Sequence, residues 1–279
     1  MFLQKEIGMP AIYAHYYFGK EIYRHLDSSI KDVVKKYHYA YVQGLQGPDT
    51  LLYHMPYKTD KINTMGDVIH KEPCSKFLKK AMQVVRTYGI DSPQYAYLIG
   101  FICHFTFDSE VHPYVDAYAE RNDITHVYLE TAFDKYVLLQ EGLDPLAFDI
   151  SKCVMNTKDC AIAMAPFYPC LNTTKAFLIL QEMAMERKLL YTPKAFKYTT
   201  MHTIFSLHSS FKGFSDMVIK NEDDIKCKES NLYLYKKMIK SIPVALDLIT
   251  KLDDTIQNGT KLDKRFYRDF ETEKKYYEN

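Results

Sequence analysis

The chain has no tryptophan, no Cys-x-x-Cys pair and no surplus of charge of either sign, and each absence narrows what it can be. Lys+Arg number 36 against Asp+Glu 35, a formal net charge of +1, so no global field draws the molecule to nucleic acid or to an anionic lipid surface. Any such partner must be held locally. The six cysteines, Cys74, Cys103, Cys153, Cys160, Cys170 and Cys227, are scattered through 279 residues, enough chain to fold without staples. Free thiols are expected. The longest apolar stretch, Tyr95 to Phe107, is interrupted by His104 and falls short of the roughly 20 residues that span a bilayer, so it reads as a buried helix. The amino terminus, MFLQKEIGMPAIYAHYYFGK, carries Lys5 and Glu6 where a signal peptide needs apolar residues, and the expected location is cytoplasmic. Alternating Val, Ile and Thr bounded by two-residue turns is nearly missing, which argues against a sheet.

What is present is helical periodicity in a composition of ordinary globular type, 47% hydrophobic and 25% charged, with 24 Tyr and 16 Phe supplying aromatic core mass. The expected fold is all-α, in one multi-helix domain over residues 1–279. Gly44, Gly47 and Pro48 break one helix and open an irregular stretch that continues to Gly66 and is the expected seat of substrate choice. A helix runs from about Asp67 through Thr87, and Ser92 followed by Pro93 starts the next. That helix is expected to stop at about His112, before Pro113. Asp123 or Thr125 caps another that ends at Gln140. Packing helices are expected over 145–258: one carrying Leu178, Met183, Met185, Leu189 and Leu190, one from Thr192-Pro193 to near Gly213, and one from Ser230 to Asn258 kinked at Pro243. The charged tail, 261–279, reads as a short surface helix that frays.

Seven of the ten histidines precede residue 113. The sharpest pattern is H-F-T-F-D-S-E-V-H, in which His104, Asp108 and His112 recur every four residues, so the first two at least project from one helix face about one turn apart. His126 and Glu130 repeat that spacing on the following helix. A His and an Asp four apart are common on solvated faces, and a buried structural His–Asp hydrogen bond is the competing explanation for His104 and Asp108. Their place after an apolar run weighs against a solvated face, because a buried carboxylate beside a buried imidazole is costly unless paired or bound to a cation; a metal and a structural bond serve equally on this segment, and only the further candidate ligands nearby tilt the choice to a metal. His15, Asp49 directly after Gly47-Pro48, and His70 are further candidates; each has an ordinary alternative as a core histidine or a turn aspartate. Imidazoles and carboxylates without paired thiolates suit zinc, with manganese or iron as alternatives. There is no H-E-x-x-H motif, no His-Asp dipeptide and no nucleotide-binding glycine loop.

The order His15, G-P-D at Asp49, His70, H-x-x-x-D-x-x-x-H over His104–His112 and H-x-x-x-E over His126–Glu130 resembles the zinc-dependent phospholipase C family, related to the P1-type nucleases, and the phrases HYYFGKEI, QGLQGPDTLLYH and GFICHFTFDSEVHPY are similar to its uncharacterised intracellular branch. The resemblance covers roughly residues 9–140, the metal-site half. It implies two or three Zn2+ ions in a cleft between helices: one held by Asp49, His70, His104 and Asp108, a second by His112, His126 and Glu130, and a third reached by His15 with Asp108 bridging. In secreted members a processed amino-terminal Trp also binds the third ion; this chain departs there, having no Trp. Glu110, Asp116 and Asp134 are candidates for orienting imidazoles from behind, with plain solvent exposure the more common alternative for each.

The expected function is a zinc-dependent phosphoric ester hydrolase of phospholipase C type, a metal-bound hydroxide attacking a phosphodiester, with Asp49 or Glu130 taking the water's proton and the resemblance favouring Asp49. The partner is then a phospholipid or another small phosphodiester. A nuclease or nucleotidase of the same superfamily is the alternative, for which Tyr53 to Tyr57 would offer stacking faces; a non-catalytic zinc-containing binding protein is the third reading.

Overall fold

The structure, a computed structural model, describes residues 11–56, 58–191, 200, 203, 215–221 and 224–272. The helices over these residues are α1 (Ile12–His25), α2 (Ser28–Lys36), α3 (His38–Gly44), α4 (Lys61–Lys71), α5 (Cys74–Tyr88), α6 (Pro93–Asn122), α7 (His126–Gln140), α8 (Lys158–Met164), α9 (Thr173–Leu190) and α10 (Lys228–Asn258). A 3₁₀ helix over Gly47–Tyr53 follows α3, and a short one over Lys264–Tyr267 follows α10. No strand occurs among the described residues, and the fold is all-α as the periodicity indicates. No helix among them is long and apolar enough to cross a membrane. All six cysteines are free. The helix expected from Thr192-Pro193 to Gly213 lies outside the described residues.

The architecture is organised on α6. Ser92 accepts a hydrogen bond from the Tyr95 amide, and Pro93 occupies the first turn, where a missing N–H costs nothing. Every residue from Gln94 to Ser109 is buried, so this stretch has no solvated face and is wrapped by α1, α3, α5, α7 and α10. Its tightest neighbour is α3. A Cβ on Gly44 would meet the Tyr97 carbonyl oxygen at 2.2 Å, and one on Gly100 would meet the Tyr41 carbonyl oxygen at the same distance. The two glycines let the backbones touch, and this contact fixes the 3₁₀ turn that leaves α3 against the middle of α6.

Three expectations are corrected. The helix foreseen over 67–87 is two: α4 starts earlier, at a capping box in which Asp60 accepts from the Ile62 and Asn63 amides while Asn63 accepts from the Asp60 amide, and α5 starts after Pro73. Much of the supposed irregular stretch to Gly66 is thereby helical. Second, α6 does not stop at His112 but carries Pro113 inside it and runs to Asn122. A proline leaves the carbonyl four residues back without its donor, here that of Ser109; Arg268 Nη2 donates to that oxygen at 2.6 Å and so satisfies it from a distant part of the chain. Third, the charged tail is not a fraying surface helix over its described part. Phe266 and Phe270 are fully buried against Phe105. The other boundaries hold: Thr125 caps α7 through the Tyr128 amide, and α10 ends at Gly259 in the left-handed conformation.

Candidate metal centre

Each side chain singled out by spacing is placed by a different local device. His104, Asp108 and His112 lie one turn apart along α6, facing α1, the 3₁₀ turn and α4. Asp49 sits in the first turn of the 3₁₀ helix behind Gly47-Pro48. Gly47 has φ +46°, and a Cβ there would collide with the His104 ring at 2.3 Å, so glycine is required both by the backbone and by the imidazole beside it. His15 comes from α1, His70 from the last turn of α4, and His126 and Glu130 from the first turns of α7.

These residues converge. The ligating atoms of His15, Asp49, His104 and Asp108 all lie within 4.8 Å of one another, and those of His112, His126 and Glu130 do the same. Asp108 is the hub: its oxygens stand 2.9 Å from His104 Nε2, 3.1 Å from His15 Nε2 and 3.5 Å from His112 Nε2. His70 enters through Asp49, Nε2 to Oδ1 at 2.8 Å, with Asp108 at 4.0 Å. His15 therefore groups with His104, on whose ring it stacks at 4.5 Å, while His70 takes the far side of Asp49. In the second cluster one Glu130 oxygen lies 3.4 Å from His112 Nε2 and 3.2 Å from His126 Nε2.

The donor set fits a cation better than it fits itself. Asp49 Oδ2, both Asp108 oxygens, His104 Nε2 and both His112 nitrogens are buried with no hydrogen-bond partner. These groups meet one another only as ion-pair contacts that are not aligned as hydrogen bonds, and a cation among them would satisfy the lone pairs left over. The charges agree. Burial alone would lower the His126 and His70 imidazoles, but Glu130 and Asp49 respectively more than reverse it, carrying His126 well above its usual range and His70 up to about 9. Burial would raise Asp108 and Glu130, yet their imidazoles hold both carboxyls below the usual carboxylate range. A pocket that attracts protons this strongly is a cation trap, and nitrogen and oxygen donors without thiolate suit zinc. Cys103, next to His104 in sequence, points away to the Tyr41 hydroxyl at 3.5 Å.

Ring orientation is set from behind. His70 Nδ1 lies 2.8 Å from the Gly66 carbonyl and His104 Nδ1 lies 3.2 Å from that of Leu45, an arrangement that turns each Nε2 towards the centre. Of the three carboxylates expected in this role, only Asp116 has it, with Oδ1 2.7 Å from His126 Nδ1. Glu110 instead accepts from Lys237 and Arg268. Asp134 accepts from the amides of Ile12, Tyr13 and Ala14, closing the first turn of α1 one residue before His15, and burial pushes its carboxyl up to about 6. Asp116→Ala is expected to weaken metal at the His126 cluster about 10-fold or more, leaving the Asp49–His104 cluster unchanged, with Asp116→Asn milder because an amide oxygen still accepts. Zinc titration against a chromophoric chelator reads this.

Sequence reasoning missed the supports supplied by other helices. Tyr53 is fully buried and its hydroxyl accepts from the buried Arg187 guanidinium of α9, so it offers no stacking face; Tyr57 lies outside the described residues. His54 is gripped by Glu182 at 2.7 Å and Asp60 at 3.3 Å, which ties the end of the 3₁₀ turn to α9. Neither contact has a short-range signal, since the partners are more than 120 residues apart except for Asp60.

No curated protein and no solved structure matches this chain. A family model described as zinc dependent phospholipase C matches residues 14–176, a span that contains all eight converging residues and ends within α9. The chain belongs to the zinc-dependent phospholipase C family.

Proposed function

We propose that the chain is a zinc-dependent phosphoric diester hydrolase of phospholipase C type. Its metal ligands are His15, Asp49, His70, His104, Asp108, His112, His126 and Glu130, and its proton-accepting carboxylates are Asp49 and Glu130. The observation that carries this is the meeting of the two clusters at Asp108, whose buried oxygens face the imidazoles of His15, His104 and His112 at 2.9–3.5 Å. Zinc, when bound, lowers the pKa of water and neutralises phosphate oxygens. The protein contributes orientation and proton handling. Asp49 engages His70 through Oδ1 and keeps Oδ2 free of hydrogen bonds, an acceptor already in place. Glu130 shares one oxygen between two imidazoles, so its other oxygen is the one available.

The direction of approach follows from exposure. The side chains of His104 and Asp108 are 0% and 1% exposed, whereas His126 is 27% exposed. A phosphodiester therefore comes in over the His126 cluster, the three-ligand set in which a position stays open for water or substrate. Structural zinc has a closed four-ligand shell, so an open trio favours hydrolysis over a purely structural role.

The test is hydrolysis of phosphatidylcholine vesicles, a mononucleotide and a generic aryl phosphodiester, before and after chelation. Release of a phosphorylated headgroup that is lost on chelation and regained with Zn2+ is the expected result. Preference for the mononucleotide would move the assignment to the nucleotidase branch. Tight zinc with no hydrolysis of any of the three would leave a binding protein.

A further inference from the structure

The family match ends at residue 176, yet the segment 264–272 reaches the back of the metal ligands. Its main chain is tied in twice: the Cys74 amide donates to the Arg268 carbonyl at 2.9 Å, and the Phe270 amide donates to the carbonyl of His70 at 3.0 Å. Asp269, 2% exposed, turns the chain by accepting from the Glu271 and Thr272 amides. From this segment two side chains reach inward, Phe270 to the clustered imidazoles and Arg268 to α6. The fully buried Phe270 ring packs on His70 at 5.2 Å and on His104 at 6.0 Å between centroids. The Arg268 guanidinium donates to Ser109 O and to Glu110, and Glu110 is itself held by Lys237 of α10.

Ser109 lies between Asp108 and His112, and its carbonyl is the one that Pro113 leaves without a donor. An open carbonyl at an internal proline lets a helix splay and kink there. Here that kink would fall between the hub carboxylate and the histidine that joins the second cluster to it, a contact of 3.5 Å. A charged donor on that oxygen replaces the lost helical bond with a stronger one.

We infer that the segment 264–272 is a brace for the metal centre, in which Arg268 and Phe270 are positioning residues: Arg268 completes α6 at the proline and fixes Asp108 against His112, and Phe270 walls the imidazoles of His70 and His104. Its bearing on zinc rests on the reading of the clusters as a cation site; the helix-completing part does not.

The experiment uses the full chain carrying Arg268→Ala, Pro113→Ala, both together, Phe270→Ala and Phe270→Leu, with two readouts. One is Zn2+ affinity by chelator competition; the other is amide hydrogen exchange over residues 104–112 in chelator-treated protein. Arg268→Ala is expected to weaken zinc about 10- to 100-fold, the range for lost supports behind metal ligands, and to speed exchange across that stretch. Adding Pro113→Ala should recover most of both, because an alanine N–H can bond to Ser109 O, while Pro113→Ala alone changes neither. Phe270→Ala should weaken zinc similarly, with Phe270→Leu in between. If Arg268→Ala fails to fold, folding restored by Pro113→Ala supports the brace. Losses from Arg268→Ala that are equal with and without Pro113→Ala, or parent-like affinity and exchange in folded Arg268→Ala, overturn it. A parent chain that binds no zinc sinks the proposed function instead, and the exchange data still decide whether Arg268 completes the helix.

Discussion

Asp108→Asn is expected to strip zinc from both clusters at once and to abolish hydrolysis. The carboxylate stands within 3.5 Å of three imidazoles contributed by α1 and by two turns of α6, so neutralising it removes the anionic group that the two sites share. Removing one member of a buried charge set costs about 3–5 kcal/mol, which corresponds to roughly 10²- to 4 × 10³-fold in affinity. The chelated protein should feel the change as well. Burial tends to raise Asp108 while His104, His112 and His15 lower it, and the net direction is well below the ordinary 3.8. Its stabilisation is therefore full above that ordinary value and is lost as pH falls through the folded-state value. The gap in melting temperature between parent and Asp108→Asn, measured in chelator, should be widest near neutrality and close in strong acid. A gap independent of pH, or zinc retained at one cluster, would show that Asp108 is not the hub.

The second large effect is expected far from any charge. Gly100→Ala places a methyl group 2.2 Å from a carbonyl oxygen of α3, and the neighbour is backbone, which cannot swing aside. Overpacking of this kind costs about 1–3 kcal/mol and more where the backbone must move, so a fall of roughly 2–12 °C in the melting temperature is expected. Because α3 leads directly into the turn bearing Asp49, α6 and the turn must separate together, and zinc should weaken even though no ligand is touched. Thermal melting with zinc titration checks both parts. A stable Gly100→Ala protein with parent affinity would mean that the α3–α6 contact is looser than described.

The convergence of these histidines and carboxylates was legible in the sequence because most of its geometry is local. A four-residue spacing on a helix decides by itself that His104, Asp108 and His112 share a face, and Ser92-Pro93 and Thr125 mark their helices through bonds made within three residues. What the sequence hid is what arrives from far away. Pro113 reads as a stop because its lost hydrogen bond has no local replacement; the replacement comes from Arg268. The tail reads as surface because its charges outnumber its aromatics, yet Phe266 and Phe270 are buried against α6. The division at Pro73 was visible in principle, since the residue before a proline resists the helical region, and the apolar periodicity running through it masked the break. Glu110 and Asp134 show the opposite error: they lie near the clustered histidines in sequence but bond to a lysine, an arginine and a helix terminus.

All six thiols are unpaired, so no covalent bond staples distant parts of this chain together. The eight converging side chains nonetheless come from α1, the 3₁₀ turn, α4, α6 and α7, and ions gripping them would rivet segments from residue 15 to residue 130, closing long loops as cross-links do. Durability on heating would then be set by cation supply rather than by redox conditions.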